Sequence, residues 1–353
     1  MTTQRESEHQ PIIPGLHDDL ALRCLAKLSH GYHGLLETVS KRWRDVIRSS
    51  DYTSYKAREG WCGNWLFVLS EGSKYEWVAY DPEADRWHPL PWASTKSADC
   101  KHYGFSCVSV YNRFLVIGGC YASAPGHPHQ KTTVTNDVMQ FDPFKKQWTY
   151  VASMRTARSH FACTVVSGKV YVSGGRNFSI ARGLSLAEVY DPLIDKWAEL
   201  PPMPSPQMDC LGLSYKGKFH VLSDLVGLPD QKTTGVVDWG ESLIKTRDSK
   251  RGEWYNVGSV PPVLLPSHCR PLEAFGYGFS SLKHELYVMG GKVLKWDQSG
   301  FGSFEIVKLG LVRVCDPSVL PLKWRETRPM CDSAQGSILG CASLEEGSSV
   351  SSI

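Results

Sequence analysis

One unit of sequence recurs along most of the chain, and it limits the possible folds more than any other feature. Its clearest copy, residues 158–203, holds four short runs of β-forming residues. The second run ends at Gly174-Gly175, and the third ends at Asp191-Pro192. Glycine lacks a Cβ and permits a tight bend, while an Asp-Pro pair favours a turn. The unit is therefore predicted to be a meander of four antiparallel strands.

The same features recur in register along the chain. A tryptophan follows the aspartate of the turn by six residues in three copies, Asp81–Trp87, Asp142–Trp148 and Asp191–Trp197, and by eight in a fourth, Asp316–Trp324. The glycine doublet occurs three times, as Gly118-Gly119, Gly174-Gly175 and Gly290-Gly291. One meander cannot bury both of its faces, whereas neighbouring copies can cover each other. A period near fifty residues with a glycine doublet and a later tryptophan resembles the kelch repeat. That resemblance implies a mainly β fold, a kelch-type β-propeller in which each copy forms one blade.

The resemblance covers residues 61–344 and shows about five blade sectors, one of them composite. The expected blades are roughly 61–100, 103–157, 158–206, 207–266 and 269–328, and a closing strand is expected at 336–344. In the composite sector, the part before about Gly235 looks like the start of a repeat and the part after it like the end of another. Either this sector is one divergent blade, or roughly one period has been lost.

The two ends of the repeat region complement each other. The first sector lacks an innermost strand, and the closing strand at 336–344 has nothing after it to complete a blade. We therefore expect the closing strand to pair with the first sector and close the ring. Closure of this kind removes sheet edges that would otherwise pair with other chains.

Composition excludes several classes of protein. The 353 residues are 42% hydrophobic and carry a formal charge of +3, without a run of basic residues that would indicate nucleic-acid binding. No apolar run is long enough to span a bilayer, and the N-terminus lacks the apolar core of a secretory signal. The eleven cysteines form no C-x-x-C pair, which favours free thiols in a reducing compartment, the cytoplasm or the nucleus.

The pattern before the repeats is helical and is assigned to residues 12–56. Three helices are predicted there: one containing Leu20 and Leu25, a short one containing Val39, and a third that Ser40 caps and that contains Trp43. The segment 51–60 is expected to be a polar connector. Polar tails at 1–11 and 345–353 are predicted to be disordered.

The helical segment resembles an F-box. The resemblance is carried by Ile13-Pro14, Leu16, Asp18-Asp19-Leu20, Val39-Ser40 and Trp43-Arg44, with His17 standing where the family usually has proline. It implies a small three-helix domain that binds a Skp-type adaptor and, through it, a cullin scaffold. The adaptor contacts that it implies are Pro14, Leu16, Leu20, Leu25, Val39 and Trp43. The alternative is a helical cap that packs on the propeller.

No arrangement of residues predicts catalysis, a metal site or a cofactor. The candidate zinc ligands, Cys100, His102, Cys107, His127 and His129, match no common zinc spacing and are interpreted as loop and core residues. The recurring Asp residues always precede a proline and are interpreted as turn formers. No G-x-S-x-G sequence and no recognisable Ser-His-Asp arrangement occurs.

Interaction with another protein is therefore the favoured class of function. Polar residues on the face formed by the second-to-third strand loops and the blade-to-blade connections are predicted to bind a substrate protein: Arg155, Arg158, Arg176, Asn177, Arg182 and Arg270. Together with the F-box resemblance, this predicts the substrate-recognition subunit of a Skp–cullin–F-box ubiquitin ligase. The alternatives are an interaction scaffold outside any ligase and a metal-dependent propeller enzyme.

Overall fold

The structure, a computed structural model, describes most of the chain. The described residues are 11–71, 77–91, 100–123, 132–177, 183–215, 217–222, 237–238, 243–247, 254–299 and 302–346. The two predicted tails lie outside these ranges except for residues 11, 345 and 346.

The N-terminal segment is helical, as predicted, but contains one α-helix more than expected. The helices are α1 Asp18–Lys27, α2 His33–Val39, α3 Lys41–Arg48 and α4 Ser50–Arg58, with a 3₁₀ turn at His30–Tyr32. Ser40 caps α3 as predicted, because its Oγ accepts the Trp43 backbone N–H at 3.1 Å.

The prediction of a polar connector after α3 was wrong, since α4 occupies that segment. Tyr52 and Lys56 of α4 are both buried. The ammonium of Lys56 donates to the carbonyl oxygens of Ala26, at 2.6 Å, and of Leu28, which leave the C-terminal end of α1. Such carbonyls have no partner within their own helix. Lys56, whose residue type predicts an exposed position, is therefore buried and holds α4 against α1.

The rest of the described chain is built from strands. They are β1 Trp65–Ser70, β2 Trp77–Asp81, β3 Arg86–Pro89, β4 Cys100–Tyr103, β5 Ser106–Val110, β6 Arg113–Ile117, β7 Cys120–Ser123, β8 Thr132–Val134, β9 Val138–Asp142, β10 Gln147–Val151, β11 Ala162–Val166, β12 Lys169–Ser173, β13 Ala187–Asp191, β14 Lys196–Leu200, β15 Leu211–Tyr215, β16 Lys218–Leu222, β17 Val237–Asp238, β18 Leu243–Arg247, β19 Trp254–Ser259, β20 Cys269–Leu282, β21 Glu285–Asp297, β22 Ser303–Lys308, β23 Val312–Cys315, β24 Arg325–Glu326 and β25 Ile338–Leu344.

Three sheets have the four-stranded form of a propeller blade. Their strand orders are β25-β1-β2-β3, β10-β9-β6-β5 and β11-β12-β13-β14, and every pairing is antiparallel. A fourth sheet, β20-β21-β23-β24, has the same core and gains β22 beside β21. The mainly β, propeller-type fold expected from the repeats is confirmed.

The first blade is completed by the C-terminal end of the repeat region, which is the pairing that the sequence predicts. Leu344 lies opposite Trp65, and Cys341 lies opposite Val68. All six residues of β1 are buried. The inner strand β25 also lies beside β5 of the second blade and β20 of the last one.

The composite sector forms two sheets in the described part of the chain. The hairpin β15-β16 lies beside β11 of the third blade, and the three strands β17-β18-β19 form a separate sheet. Among the described residues these two sheets share no strand pairing.

A repeated joint links the outer strands of neighbouring blades. In the first blade, the Trp87 indole N–H donates to the Arg328 carbonyl at 3.0 Å. The carboxylate of Asp85 accepts the Arg328 backbone N–H at 2.9 Å and the Tyr80 hydroxyl at 2.7 Å. Since Arg328 belongs to the chain that follows the last blade, this joint spans the point at which the ring closes.

The third blade repeats the same joint with the same residue types. The Trp197 indole N–H donates to the Ala152 carbonyl at 2.7 Å. The carboxylate of Asp195 accepts the Ala152 N–H and the Tyr190 hydroxyl, each at 2.8 Å. In these two blades the recurring tryptophan, which marks the repeat in the sequence, therefore binds the blade to its neighbour.

The glycine doublets allow strands to continue past the body of a blade. At Gly119, φ is 95°, and an added Cβ would lie 2.8 Å from the Cβ of Phe105 and 2.9 Å from its backbone nitrogen. Beyond this doublet, β7 and β8 form a small sheet with β4. Part of the predicted insertion between residues 120 and 136 is thus a β extension of the second blade.

Removing the closing strand should destroy the fold of the propeller. A chain that ends at Gly336 exposes the backbone edge of β1 and the apolar residues that β25 covers. We expect it to aggregate and to lose a cooperative thermal transition, measured by size-exclusion chromatography and circular dichroism. A chain that ends at Glu346 is the matched control and should behave like the full-length protein. A soluble, cooperatively folded 336-residue chain would contradict the closure described above.

Candidate interaction surfaces

The helical domain exposes large apolar side chains. They are Leu20 and Leu28 of the α1 region, and Leu35 and Val39 of α2, with exposed fractions of 53%, 38%, 60% and 59%. Leu35 and Val39 are four residues apart on α2 and are therefore neighbours on one face of that helix. Contiguous exposed apolar side chains of this kind mark protein–protein contacts. Leu20 and Val39 are among the predicted adaptor contacts, whereas Leu28 and Leu35 are not. The exposed positions of α2 follow from its short amphipathic pattern, but the sequence alone does not separate them from core positions.

The other predicted adaptor contacts differ in exposure. Pro14 is exposed, and Leu16 is partly buried against the helical core. Trp43 is also partly buried, and its indole N–H donates to the Ile12 carbonyl at 2.6 Å. Leu25 is only 2% exposed. The assignment of Leu25 to the adaptor surface was therefore wrong, because α1 turns this residue toward the core of the domain.

His17, which replaces the proline usual in this motif, keeps the backbone geometry of that residue. Its φ is −63°, close to the value that a proline ring imposes. The segment before α1 is closed by the carboxylate of Asp18, which accepts the Ile12 N–H at 2.8 Å. The φ angle at position 17 is therefore one that both histidine and proline adopt.

The helical domain is attached to the face of the propeller that carries the Asp-Pro turns. The Ser29 hydroxyl donates to Oδ2 of Asp81 at 2.6 Å, in a buried contact. The other oxygen of this carboxylate accepts the Glu83 N–H at 3.0 Å and so forms the turn. The ring of His30 packs edge-on against Phe144, with 5.6 Å between ring centroids. Asp81 therefore both forms the turn of the first blade and binds the helical domain to the propeller.

The opposite face carries several of the predicted substrate-binding residues, and most of these are ion-paired or hydrogen-bonded. Arg155 pairs with Glu199 at 3.0 Å, and the Arg176 guanidinium makes two contacts with the carboxylate of Asp209. Both arginines are exposed. Asn177 donates its side-chain amide to the Ala157 carbonyl at 3.0 Å, Arg270 is exposed on β20, and Arg182 lies outside the described residues.

Arg158 is not part of that surface, and its assignment to substrate binding was wrong. Its side chain is fully buried and contacts the carboxylate of Glu188 at 2.7 Å. The same guanidinium donates to the carbonyls of Gly174 and Leu186, each at 2.9 Å. The residue lies in a blade-to-blade connection, where exposure is expected. However, this connection turns inward and satisfies carbonyl groups that the end of a strand leaves without partners.

Glu188 completes this buried ion pair from the third blade. Its carboxylate also accepts the backbone N–H groups of Arg155, at 2.7 Å, and Thr156, at 3.2 Å. Burial lowers the pKa of the Arg158 guanidinium, while Glu188 opposes that effect. Arg158 and Glu188 thus join the second blade to the third.

The sequence of this chain is similar to those of known protein families. Residues 13–55 match the F-box domain, and residues 101–155 and 157–204 match the kelch motif. F-box/kelch-repeat protein At1g16250 of Arabidopsis thaliana is 62% identical over 380 residues, covering 97% of this chain and 99% of that protein. This chain is an F-box/kelch-repeat protein. F-box/kelch-repeat protein SKIP30 of Arabidopsis thaliana is 29% identical over 362 residues, covering 96% and 99% of the two chains.

Membership of this family confirms both resemblances read from the sequence. F-box domains generally bind Skp1-type adaptors, and the F-box/kelch family is generally made of adaptor proteins without enzymatic activity. In the described part of this F-box/kelch-repeat protein, no helix is both long and apolar enough to cross a membrane.

The candidate zinc ligands have other roles or lie outside the described residues. The Nε2 of His102 is 2.8 Å from the Gly118 carbonyl, and its ring stacks on Tyr121 with 4.3 Å between centroids. His127, His129 and the side chain of Cys100 are outside the described part of the chain. Cys107 lies beside Gly340 of β25, and desolvation raises the pKa of its thiol.

A different group of potential ligands comes together on β20 and β21. The ligand atoms of His268, Cys269 and Asp297 lie within 4.8 Å of one another. The ammonium of Lys295 donates to the Cys269 sulfur at 3.4 Å and pairs with Glu305 at 3.0 Å. The protein itself therefore supplies a positive charge to this group.

Loss of the buried arginine should affect stability, whereas loss of its exposed neighbour should not. Replacing Arg158 with Met leaves the carboxylate of Glu188 buried without its counter-charge, which costs about 3 to 5 kcal/mol. Replacing Arg155 with Met removes an exposed pair worth about 1 kcal/mol or less. Urea denaturation of both variants measures this difference. Equal losses in the free energy of unfolding would contradict a structural role for Arg158.

The junction between the helices and the propeller should be sensitive to acid. Burial, together with the nearby Lys56 and Lys146, lowers the pKa of His33 from 6.5 to about 3, and its Nε2 lies 3.1 Å from the Tyr52 hydroxyl. Between pH 3 and pH 6.5 the His33 imidazole is protonated in the unfolded chain but neutral in the folded chain. Stability should therefore fall as the pH drops below about 6.5, by about 1.4 kcal/mol per pH unit from this group.

Urea denaturation at several pH values tests this expectation. His33→Gln should reduce the loss of stability between pH 6.5 and pH 5, because glutamine takes up no proton. Thr38→Gln, at an exposed position of α2 without a titratable side chain, is the matched control and should leave the pH dependence unchanged. An unaltered dependence in His33→Gln would show that His33 does not cause the acid sensitivity.

Proposed function

We propose that this F-box/kelch-repeat protein is the substrate-recognition subunit of a Skp–cullin–F-box ubiquitin ligase. In this role the F-box binds a Skp1-type adaptor, and the propeller holds the protein to be ubiquitinated. The chain carries out no bond-making step. It raises the effective concentration of substrate lysines near a conjugating enzyme that the scaffold holds.

One observation carries the proposal: the F-box exposes apolar side chains although it is already seated on the propeller. The contact between Ser29 and Asp81 occupies one side of the domain, yet Leu20, Leu35 and Val39 remain more than half exposed. A helical cap that served the propeller alone would have no reason to keep these three side chains in water. Because each side chain is already partly buried, covering it with an adaptor contributes about 1 to 2 kcal/mol.

The two faces of the propeller are proposed to serve different partners, the adaptor on one side and the substrate on the other. The F-box occupies the side of the Asp-Pro turns and leaves the side of the glycine doublets uncovered. Arg155, Arg176, Asn177 and Arg270 are proposed to take part in substrate binding on that uncovered side. The ten described cysteines are free thiols, which supports action in a reducing compartment, the cytoplasm or the nucleus.

Co-expression with a Skp1-type adaptor tests the adaptor half of the proposal. Leu20→Glu with Val39→Glu places two charges in the apolar contact, and we expect the affinity for the adaptor to fall at least about 100-fold. Binding is measured by co-purification and by titration of the purified chains. Leu193→Glu with Ile194→Glu is the matched control, because these side chains are 72% and 62% exposed on a turn of the propeller.

Adaptor binding by the wild-type chain decides whether the proposal stands. If the wild-type chain folds and does not bind the adaptor, the proposal is refuted. Leu25→Ala is not a suitable test, because that residue lies in the core of the F-box and its loss would unfold the domain. Circular dichroism of each variant separates loss of binding from loss of fold.

A further inference from the structure

The hairpin of the last blade extends well beyond the blade itself. Past the doublet Gly290-Gly291, the outer parts of β20 and β21 continue as a pair, and β22 adds a third strand to them. We call residues 269–275, 291–297 and 303–308 the ribbon. Because it leaves the blade at the end opposite the Asp316 turn, the ribbon stands on the face that the F-box leaves uncovered. Its base is tied to the first blade by Lys292 and Glu71, 2.6 Å apart.

One face of the ribbon presents apolar side chains to solvent. The register places Leu294 opposite Ile306 and Trp296 opposite Phe304, and residues two apart share a face. Phe304 is 68% exposed and Ile306 is 58% exposed, although the ring of Trp296 packs edge-on against Phe304. The opposite face includes Val293, which is 2% exposed. The exposed apolar face is therefore the one that a partner would cover.

The edge of the ribbon is open as well. Among the described residues β22 pairs with β21 and with no other strand. In an antiparallel pair, alternate residues of an edge strand direct their N–H and C=O groups away from the neighbour. Such an edge can accept a further strand from another chain through backbone hydrogen bonds. The apolar face and the open edge thus belong to the same six residues, Ser303–Lys308.

Two cations flank the apolar side chains on this face. Lys308 follows Ile306 by two positions on β22, and Arg270 lies opposite Trp296 on the other side of the ribbon. Both are exposed, and neither forms an ion pair within the described residues. On the other face, by contrast, Glu305 is already paired with Lys295. Glu273 also lies on this face, opposite Leu294, but on β20, two strands away from the free edge. At the edge itself, the charge on this face is that of Lys308 and is positive.

We propose that the ribbon binds an extended segment of the substrate protein, which adds to the free edge of β22 as an antiparallel strand. The segment reads acidic–x–apolar–x–apolar from its N-terminus to its C-terminus. In this direction its acidic residue lies opposite Lys308, and its apolar residues lie opposite Ile306 and Phe304. This inference rests on the proposed function, since it names the class of segment that the propeller recognises.

A second copy of this chain fits the same edge poorly. Antiparallel pairing of β22 with itself around Ile306 would place Lys308 opposite Phe304 and Glu305 opposite Val307. Each charge would then face an apolar residue, and the two Lys308 ammonium groups would gain no counter-charge. The arrangement of charges therefore favours a different chain with an acidic residue over self-association.

Two labelled peptides test the proposal with the purified full-length protein. The first is Gly-Ser-Glu-Thr-Val-Thr-Val-Ser-Gly, and the second has Lys in place of Glu. Fluorescence anisotropy should show that the wild-type protein binds the first peptide at least about 10-fold more tightly than the second, because only the first complements Lys308. Lys308→Glu should reverse this preference.

Variants of the ribbon and of an unrelated surface locate the site. Phe304→Ser with Ile306→Ser should weaken binding of the acidic peptide at least about 10-fold, since the apolar contact is lost. Leu193→Ser with Ile194→Ser removes apolar side chains of similar exposure elsewhere and should leave binding unchanged. Equal affinity for the two peptides, or full binding by the ribbon variant, would overturn the proposal. So would a dimer of the wild-type chain in sedimentation that the ribbon variant abolishes.

Adaptor binding, measured on the same preparations, separates this inference from the proposed function. A protein that binds the adaptor and neither peptide refutes strand addition at the ribbon and leaves the ligase role intact. A protein that binds the acidic peptide through the ribbon but no adaptor supports the ribbon site and refutes the ligase role.

Discussion

The antiparallel pairing of β25 with β1 is the constraint on which the rest of the molecule depends. It supplies the inner strand of the first blade from the far end of the repeat region. As a consequence the chain enters the propeller at the second strand of that blade, at the end where the Asp-Pro turns lie. The F-box must then sit on that side, where Ser29 meets Asp81. Strand closure thereby determines which face of the propeller stays uncovered.

Much of this architecture can be predicted from the sequence because the repeats are marked by residues with specific physical roles. The aspartates before proline form turns, as expected, by accepting backbone N–H groups two residues later. The recurring tryptophans are visible as a pattern, but their indole hydrogen bonds to the neighbouring blade are not. A pattern within one repeat gives no information on contacts between repeats, which depend on how the sheets are arranged around the ring.

The site residues were predicted less well, since burial cannot be read from position in a loop. Arg158 was expected on the surface, yet it lies in an ion pair that joins two blades. Leu25 has the residue type of an adaptor contact but faces the core, and Lys56 has the residue type of a solvated position but is buried. In each of these cases the deciding contact comes from a segment distant in the sequence. Phe304 and Ile306 differ from expectation in the opposite direction. Their alternation with polar residues is typical of a strand with one buried face, yet both side chains are exposed.

Ring closure by the last strand also orders events during synthesis of the chain. The F-box, with its exposed apolar side chains, is complete after residue 58, whereas β1 gains its inner partner only when residues 338–344 have emerged. A chain released early would carry the surface proposed for the adaptor together with an open, aggregation-prone propeller edge. The position of β25 at the end of the repeat region therefore makes synthesis of residues 338–344 a condition for a stable propeller. The surface proposed for substrate depends in turn on that late-synthesised strand.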